Sequence, residues 1–564
     1  MRIARSIFYA RLVTDRATPI FEFNGARQAI VDDVVARVAQ SVHDPALALN
    51  DAAYHETRRL GARGGPELAE WRALAGALGR MSEAECRAKL EELARRYAWD
   101  VAGNFNPRVY RFASRAAAPI IGVLLSPRST LRNLPHSLDL TSLDGRILVQ
   151  GPRETIRKLG RMGTVVHVPT HLSNLDSVVF GFALERAGLP PATYGAGKNL
   201  FTNPFLSYFM HNLGAYRVDR RLRHGLYKDV LKAYSCVLIE RGYHSLFFPG
   251  GTRSRSGGVE RKLKLGLAGT GLEAFVRTTA KGKTQPVFFV PSTSNYLLTL
   301  EAETLIDDFL QEEGKARYII EDDESAKVSR IAAFMNKLLG LDAACVVRFS
   351  QPVDCFGNAV DEDGVSRDPR GRAIDPVSYV LGREDLPQRD APREAQYTRE
   401  LGEVICASYK RDTVAMATHL AAAAAFDHLR RAVGHGDLFA LLRHTDDVSV
   451  PRARLAADLD ILLDRARTLE AKGELVLAHG LKRADGALVL DQAIRAFSGY
   501  HTNPVLAPRG ADLVLCDTRL LFYYQNRLAA HGLAFDAIAP DLRQRPALPI
   551  GLARGAAGAE GAAP

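Results

Sequence analysis

The chain is predicted to be an α/β protein: a largely parallel mixed sheet flanked by helices, with helical additions at both ends. Three observations predict it. From about residue 140, short β-branched or aromatic runs ("GRILVQG", "GTVVHVP", "ATYGAG", "HSLFFPGG", "PVFFVPS") alternate with helical ones ("DSVVFGFALERAG", "GLYKDVLKAYSCVLIERG", "GTGLEAFVRTTAKG"). On either side, segments such as "EAECRAKLEELARRYAWDVAG" and "RARLAADLDILLDRARTLEAKG" repeat apolar positions at three and four, the period of a helix. Finally, 564 residues exceed what one ordinary core organises, so a central domain with additions is expected.

Taken in order, residues 1–139 are expected to be an N-terminal helical region, 140–350 the α/β core, 351–395 a loop-rich connection, 396–545 a C-terminal helical region and 546–564 a disordered tail. The opening "MRIARSIFYARLV" carries three arginines among apolar residues without a continuous apolar stretch, so it is not a secretory signal. It suits either a membrane surface or an amphipathic first helix on the core. The longest apolar run, Ala116–Leu125, contains Pro119 and Gly122 and falls far short of the ~20 residues of a membrane-crossing helix. The connection "DEDGVSRDPRGRAIDP" lacks the ligand spacing of a calcium loop and reads as a loop, and no internal repeat is read.

Six cysteines lie far apart, without C-x-x-C or zinc spacing, which predicts a reducing compartment and no metal site. The net charge of +10 is concentrated: residues 214–266 hold twelve Lys/Arg against four Asp/Glu. That local excess suits phosphate, nucleic acid or anionic lipid. The basic segments have neither a stacking-aromatic platform nor a nucleic-acid-binding motif, so nucleic acid is not expected.

The chemistry is expected where the strand "GTVVHV" stops at Pro169, because ligands in open α/β sheets bind beyond the carboxyl ends of strands. His171 lies on that strand-to-helix turn, and the helix is expected from about Leu175 to Gly188. Ser173 and Asp176 have the form of a capping box, with Ser173 as N-cap. This structural role for Asp176 is compatible with a second one, accepting the imidazole N–H of His171 and leaving the other ring nitrogen as a base. A lone histidine is otherwise a satisfied hydrogen-bonding side chain. Here, further clusters follow at strand ends: "GAYRVDRRLR" with Arg217 and Arg220, and the Gly-rich turn "FFPGGTRSRSGG" with Arg253 and Arg255. Backbone amides and guanidinium forks of this kind suit a phosphate.

In order and spacing, "HLSNLD", "GAYRVDR", "FPGGTRSRSG" and "VFFVP" resemble the four blocks of the glycerolipid acyltransferases, and most nearly those of glycerol-3-phosphate acyltransferases. "KNLFTNP" and "LFYYQNRL" extend the likeness more weakly beyond the core. The resemblance implies an O-acyltransferase of phospholipid synthesis that moves a fatty acyl group from acyl-CoA or acyl carrier protein to a hydroxyl of glycerol-3-phosphate, with no cofactor. His171 would be the general base and Asp176 its support. Arg217, Arg220, Gly251, Thr252, Arg253, Ser254 and Arg255 would form the acceptor's phosphate site, and "VFFVP" would line the donor side. No G-x-S-x-G elbow is present, consistent with direct transfer. A lysophosphatidate acyltransferase, or a non-catalytic relative that binds anionic lipid, are the alternatives.

One departure stands out. Where the family's third block has glutamate, this chain has Gly250, and Gly250→Glu is expected to change acceptor preference while thioester chemistry continues. The enzyme is expected peripherally at the cytoplasmic face of a membrane. "NLFTNPFLSYFMHNLGAYRVDRR" offers Phe201, Phe205, Leu206, Tyr208, Phe209 and Met210 ahead of a basic run for that contact, although a buried helix accounts for the same aromatics.

Overall fold

The apolar run Thr164–Pro169 is buried at every residue, which requires a sheet partner on each edge and a covering layer on each face. The computed structural model describes residues 19–61, 64–113, 146–198, 201, 204–283, 285–313, 344–434, 438–442, 448–498 and 500–534. The opening basic segment, the apolar run Ala116–Leu125 and the C-terminal tail all lie outside the described residues.

Helices come first: α1 (Phe23–Ser41), α2 (Pro45–Leu60), α3 (Pro66–Ala77) and α4 (Glu83–Val101). Asp44 caps α2 through the Leu47 N–H, and a reciprocal Ser82/Glu85 capping box starts α4. The core then runs β1 (Ile147–Gln150), α5 (Arg153–Met162), β2 (Thr164–Pro169), α6 (Asp176–Arg186), β3 (Thr193–Gly197), α7 (Pro204–Asn212), β4 (Ala215–Val218), α8 (Gly225–Glu240), β5 (Ser245–Leu246), α9 (Ala268–Ala280), β6 (Val287–Tyr296), α10 (Ala302–Glu313) and β7 (Cys345–Phe349). Four short strands follow: β8 (Val353–Asp354), β9 (Ala359–Val360), β10 (Ser366–Arg367) and β11 (Ala373–Ile374). The helices α11 (Ala391–Arg411), α12 (Ala417–Val433), α13 (Arg452–Ala471), α14 (Gly486–Phe497) and α15 (Thr518–Gln525) are the main elements beyond.

The predicted mixed sheet is present. Strands β4, β3, β5, β2 and β6 lie side by side and parallel, so their carboxyl ends share one edge. β6 is longer than the expected "PVFFVPS". Its first half pairs parallel with β2, and its second half continues past that edge to pair antiparallel with β7.

The outer helices hold this sheet from two sides. Val31, Val34, Trp71, Leu90 and Leu93 of the N-terminal helices pack with Tyr227, Val230 and Tyr234 of α8, and the Tyr234 hydroxyl accepts the Gly103 N–H at 3.0 Å. Each fully buried side chain of this size contributes about 1.5–3 kcal/mol. The C-terminal helices grip the β2–β6 strand ends. Tyr409 Oη donates to the Val168 carbonyl at 2.7 Å, and Asn295 Oδ1 accepts the Val414 N–H at 3.1 Å.

The stretch expected to be loop contains an antiparallel β-meander, β8 to β11. Asp354, Asp361 and Asp368 recur every seven residues. Each Oδ1 accepts two N–H groups of the following turn, at 2.9 or 3.0 Å. Gly357, Gly364 and Gly371 close the turns at φ of 92°, 80° and 79°, a region that suits glycine. The repeated D-x-x-G pattern is therefore a turn device.

Candidate active site

β2 ends at Pro169, and Thr170 is tied to the neighbouring strand on both its groups. Its N–H donates to the Ser292 carbonyl at 3.0 Å and its Oγ1 accepts the Ser294 N–H at 3.0 Å. The chain then turns through residues 171–175 into α6, whose first residue is Asp176. Across this turn His171 Nδ1 lies 2.9 Å from Asp176 Oδ2. With Nδ1–H donating to the carboxylate, Nε2 is left unprotonated as a base.

Asp176 is completely buried and accepts four hydrogen bonds. Oδ2 also takes the N–H groups of Leu172 at 2.6 Å and Ser173 at 2.8 Å, and Oδ1 takes the hydroxyl of Tyr296 at 2.5 Å. These donors and the helix N-terminus offset the cost of burying the charge. Burial, reinforced by the facing Asp176, holds the Tyr296 phenol far above its ordinary pKa, so it stays a donor. The His171 ring itself stacks on Phe248 at 4.2 Å, which fixes its plane.

The capping box expected here is only half formed. The Ser173 N–H does reach Asp176, but the reciprocal bond is absent. Ser173 Oγ instead donates to Glu301 Oε2 at 2.8 Å and accepts the Leu175 N–H at 3.2 Å. Donation to the buried carboxylate orients the hydroxyl so that its oxygen accepts from Leu175, and the Asp176 N–H goes to the Ser173 carbonyl instead, at 3.0 Å.

Glu301, at the entrance to α10, joins two of the blocks. It has no solvent exposure, its Oε1 accepts the Asn174 N–H at 3.1 Å, and it pairs with Arg253 at 3.5 Å. Arg253 is thus held against the histidine turn by a carboxylate 48 residues away in sequence. Arg220 approaches the same place. In "VDRR", Asp219 binds Arg221 through Nε at 2.9 Å and Nη2 at 2.7 Å. Burial and the repulsion of Arg253 both push the Arg220 guanidinium below its ordinary pKa. Two guanidiniums that repel one another are a setting that an anion stabilises.

The remaining expected residues are placed less evenly. Arg217 lies over the Phe201 ring at 5.2 Å. Ser254 is structural to the turn: its N–H donates to the His171 carbonyl at 2.7 Å and its hydroxyl to the Gly258 carbonyl at 2.8 Å. Gly251 has the Lys264 side chain across it, and Thr252 is exposed. Arg255 is drawn off to Glu312 on α10, at 2.5 Å. Of the aromatic segment, Tyr208 is exposed whereas Met210 is buried against Ala196 and Ala215; the side chains of Phe205 and Leu206 lie outside the described residues.

Tyr296, Glu301, Phe248, Glu260 and Arg527 were not anticipated as parts of the site. The last enters from just beyond α15: its buried guanidinium donates through Nη2 to the Ser294 carbonyl and Asn295 Oδ1, each at 3.0 Å. It belongs to "LFYYQNRL", whose spacing alone does not assign a place behind β6. Elsewhere in the core, burial lowers His167 to about 3 and His244 to about 4, so both are neutral core side chains.

Residues 146–291 match the family described as Acyltransferase. Among curated proteins, the chain is 27% identical over 228 residues to a glycerol-3-phosphate acyltransferase of Pseudomonas paraeruginosa, covering 40% of this chain and 24% of that one. It is 30% identical over 202 residues to one from Actinobacillus pleuropneumoniae, covering 36% and 23%, and 28% identical over 216 residues to one from Xanthomonas campestris, covering 38% and 21%. The matched segment thus spans about a quarter of the length of these relatives.

Proposed function

We propose that the α/β core, which carries an acyltransferase-family domain over residues 146–291, moves a fatty acyl group from an acyl thioester to a hydroxyl of glycerol-3-phosphate. The observation that carries this reading is the His171–Asp176 pair, with Arg253 held against the same turn by Glu301 and Arg220 near enough to feel its charge. The acceptor's phosphate binds the two guanidiniums, which presents its hydroxyl to His171 Nε2. Nε2 takes the hydroxyl proton as the oxygen attacks the thioester carbonyl. The imidazolium formed is stabilised by Asp176, and the proton passes to the departing thiolate when the tetrahedral species collapses, giving an ester and a free thiol. Holding both substrates in place supplies much of the rate.

The donor is acyl-CoA or acyl carrier protein, and the product enters phospholipid synthesis. We place the enzyme peripherally at the cytoplasmic face of a membrane. Exposed Tyr208 and the basic residues beyond β4 support this, and among the described residues no helix is long and apolar enough to cross a membrane.

The test is thiol release from long-chain acyl-CoA and acyl carrier protein with glycerol-3-phosphate, dihydroxyacetone phosphate, lysophosphatidate or glycerol as acceptor. The expected result is release that depends on glycerol-3-phosphate. Release with lysophosphatidate alone reassigns the acceptor, and release with none of them, alongside vesicle binding, leaves a lipid-binding protein.

A further inference from the structure

Ten residues beyond Gly250, the chain returns a carboxylate to the place that glycine leaves open. A Cβ at Gly250 would stand 3.4 Å from Glu260 Cγ and 3.6 Å from its Oε1. Oε1 accepts the backbone N–H of His171 at 2.8 Å. Oε2 is shut off from solvent and has no hydrogen-bond partner among the described residues. Such a carboxylate is costly to bury: desolvation raises its pKa, and the charge of buried Arg527 together with the His171 N–H opposes that rise. Arg527 in turn is held at Ser294 and Asn295, the residues just before Tyr296 on β6. One end of His171 is therefore fixed by Glu260 through its backbone, and the other by Asp176 through its ring.

We propose that Glu260 is a positioning residue, and that its carboxylate, entering from position 260, takes the place that a glutamate at position 250 would otherwise fill. It holds the His171 backbone so that the imidazole stands between Phe248 and Asp176. Gly250 is then the partner of Glu260 and not a lesion: an added Cβ would lie in ordinary van der Waals contact with the Glu260 stem, and the atoms of a glutamate beyond it would have to share the space that Glu260 occupies. The expectation that Gly250→Glu alone merely changes acceptor preference is revised accordingly: in the wild-type background it crowds two carboxylates into one space.

The proposal rests on the acyl-transfer reading above, and a four-protein cycle separates the two. Full-length wild type, Glu260→Ala, Gly250→Glu and the double variant are compared in steady-state thiol release and in thermal unfolding. Glu260→Ala is expected to lower kcat by about tenfold or more, with KM for the acceptor within about threefold, as for a lost charge-assisted hydrogen bond. Gly250→Glu alone also loses activity. The double variant regains most of the loss, which removal of a merely structural side chain would not allow. Unaltered kcat in Glu260→Ala, or a double variant no better than either single one, overturns the proposal. The melting temperatures test the contact without turnover: Gly250→Glu lowers the midpoint in the wild-type background and not in the Glu260→Ala background. Equal shifts in both overturn the proposal even if no acceptor supports thiol release, a result that by itself would defeat only the acyl-transfer reading.

Discussion

Replacing Asp176 by asparagine isolates its charge from its shape. Asparagine is isosteric, and its amide oxygen can remain where Oδ2 now accepts from Leu172, Ser173 and His171, with the amide nitrogen donating to the Tyr296 hydroxyl. The hydrogen-bonded turn is then preserved in outline, and the fold is expected to survive with a modest fall in melting temperature. What disappears is the counter-charge to the imidazolium that forms as Nε2 takes a proton. Unit charges about 4 Å apart in an effective dielectric near 20 interact by about 4 kcal/mol, close to a factor of about 10³ in rate. The buried, donor-saturated setting keeps Asp176 from being replaced by water. The assay is kcat/KM for thiol release, with circular dichroism confirming the fold. A folded variant within about tenfold of wild type would refute the electrostatic part of the mechanism.

Arg220→Ala and Arg253→Ala should each raise KM for a phosphorylated acceptor by about 10- to 150-fold, the range for hydrogen bonds to charged groups, whereas Arg255→Ala, already paired with Glu312, should stay near wild type. Equal effects from all three would show that the phosphate site is misassigned. Gly257 lies at φ 77°, and an added Cβ would meet the Tyr523 carbonyl oxygen at 2.3 Å. Gly257→Ala should therefore part the third block from α15, lowering both the melting temperature and activity in calorimetry and thiol release; an unchanged midpoint would count against that packing. Burial raises Glu185 to about 7, so the folded state favours its protonated form. The folded protein thus binds more protons than the unfolded chain between about pH 4.5 and 7, and stability from this group is lost as pH rises through that window. Glu185→Gln should flatten that part of the stability profile in denaturant titrations, and an unaltered slope would exclude the assignment.

The strand–turn–helix that carries His171 was legible because a buried strand, a proline stop and a helix start are all local signals. So was the pairing of His171 with Asp176, since five residues span one turn. The partners that make the pair work were not legible. Tyr296 lies on a strand whose continuation, "STSNY", lacks the apolar pattern used to recognise its first half, and it is β7 that makes this half a strand. Glu301, Glu260 and Arg527 come from elements whose placement is set by long-range packing, and charged residues at such positions look like solvated surface. The D-x-x-G recurrence of residues 354–371 was in plain view, but its composition suggested loop; short strands stabilised by side-chain-capped turns carry little periodicity of their own. Ser173 shows the reverse case, a complete local signal only half realised, because its hydroxyl is oriented by donation to a distant buried carboxylate and accepts from Leu175 and not from Asp176.

The central claim is that His171 removes the proton from a glycerol-3-phosphate hydroxyl during direct acyl transfer. The most direct test is mass-spectrometric detection of acylated glycerol-3-phosphate from purified wild type and His171→Ala, each given long-chain acyl thioester and glycerol-3-phosphate, with the intact protein weighed in the same samples. The account predicts product from wild type, none above background from His171→Ala, and no acyl group on either protein. Product formed equally well without the imidazole, or a stable acyl-enzyme, would contradict it.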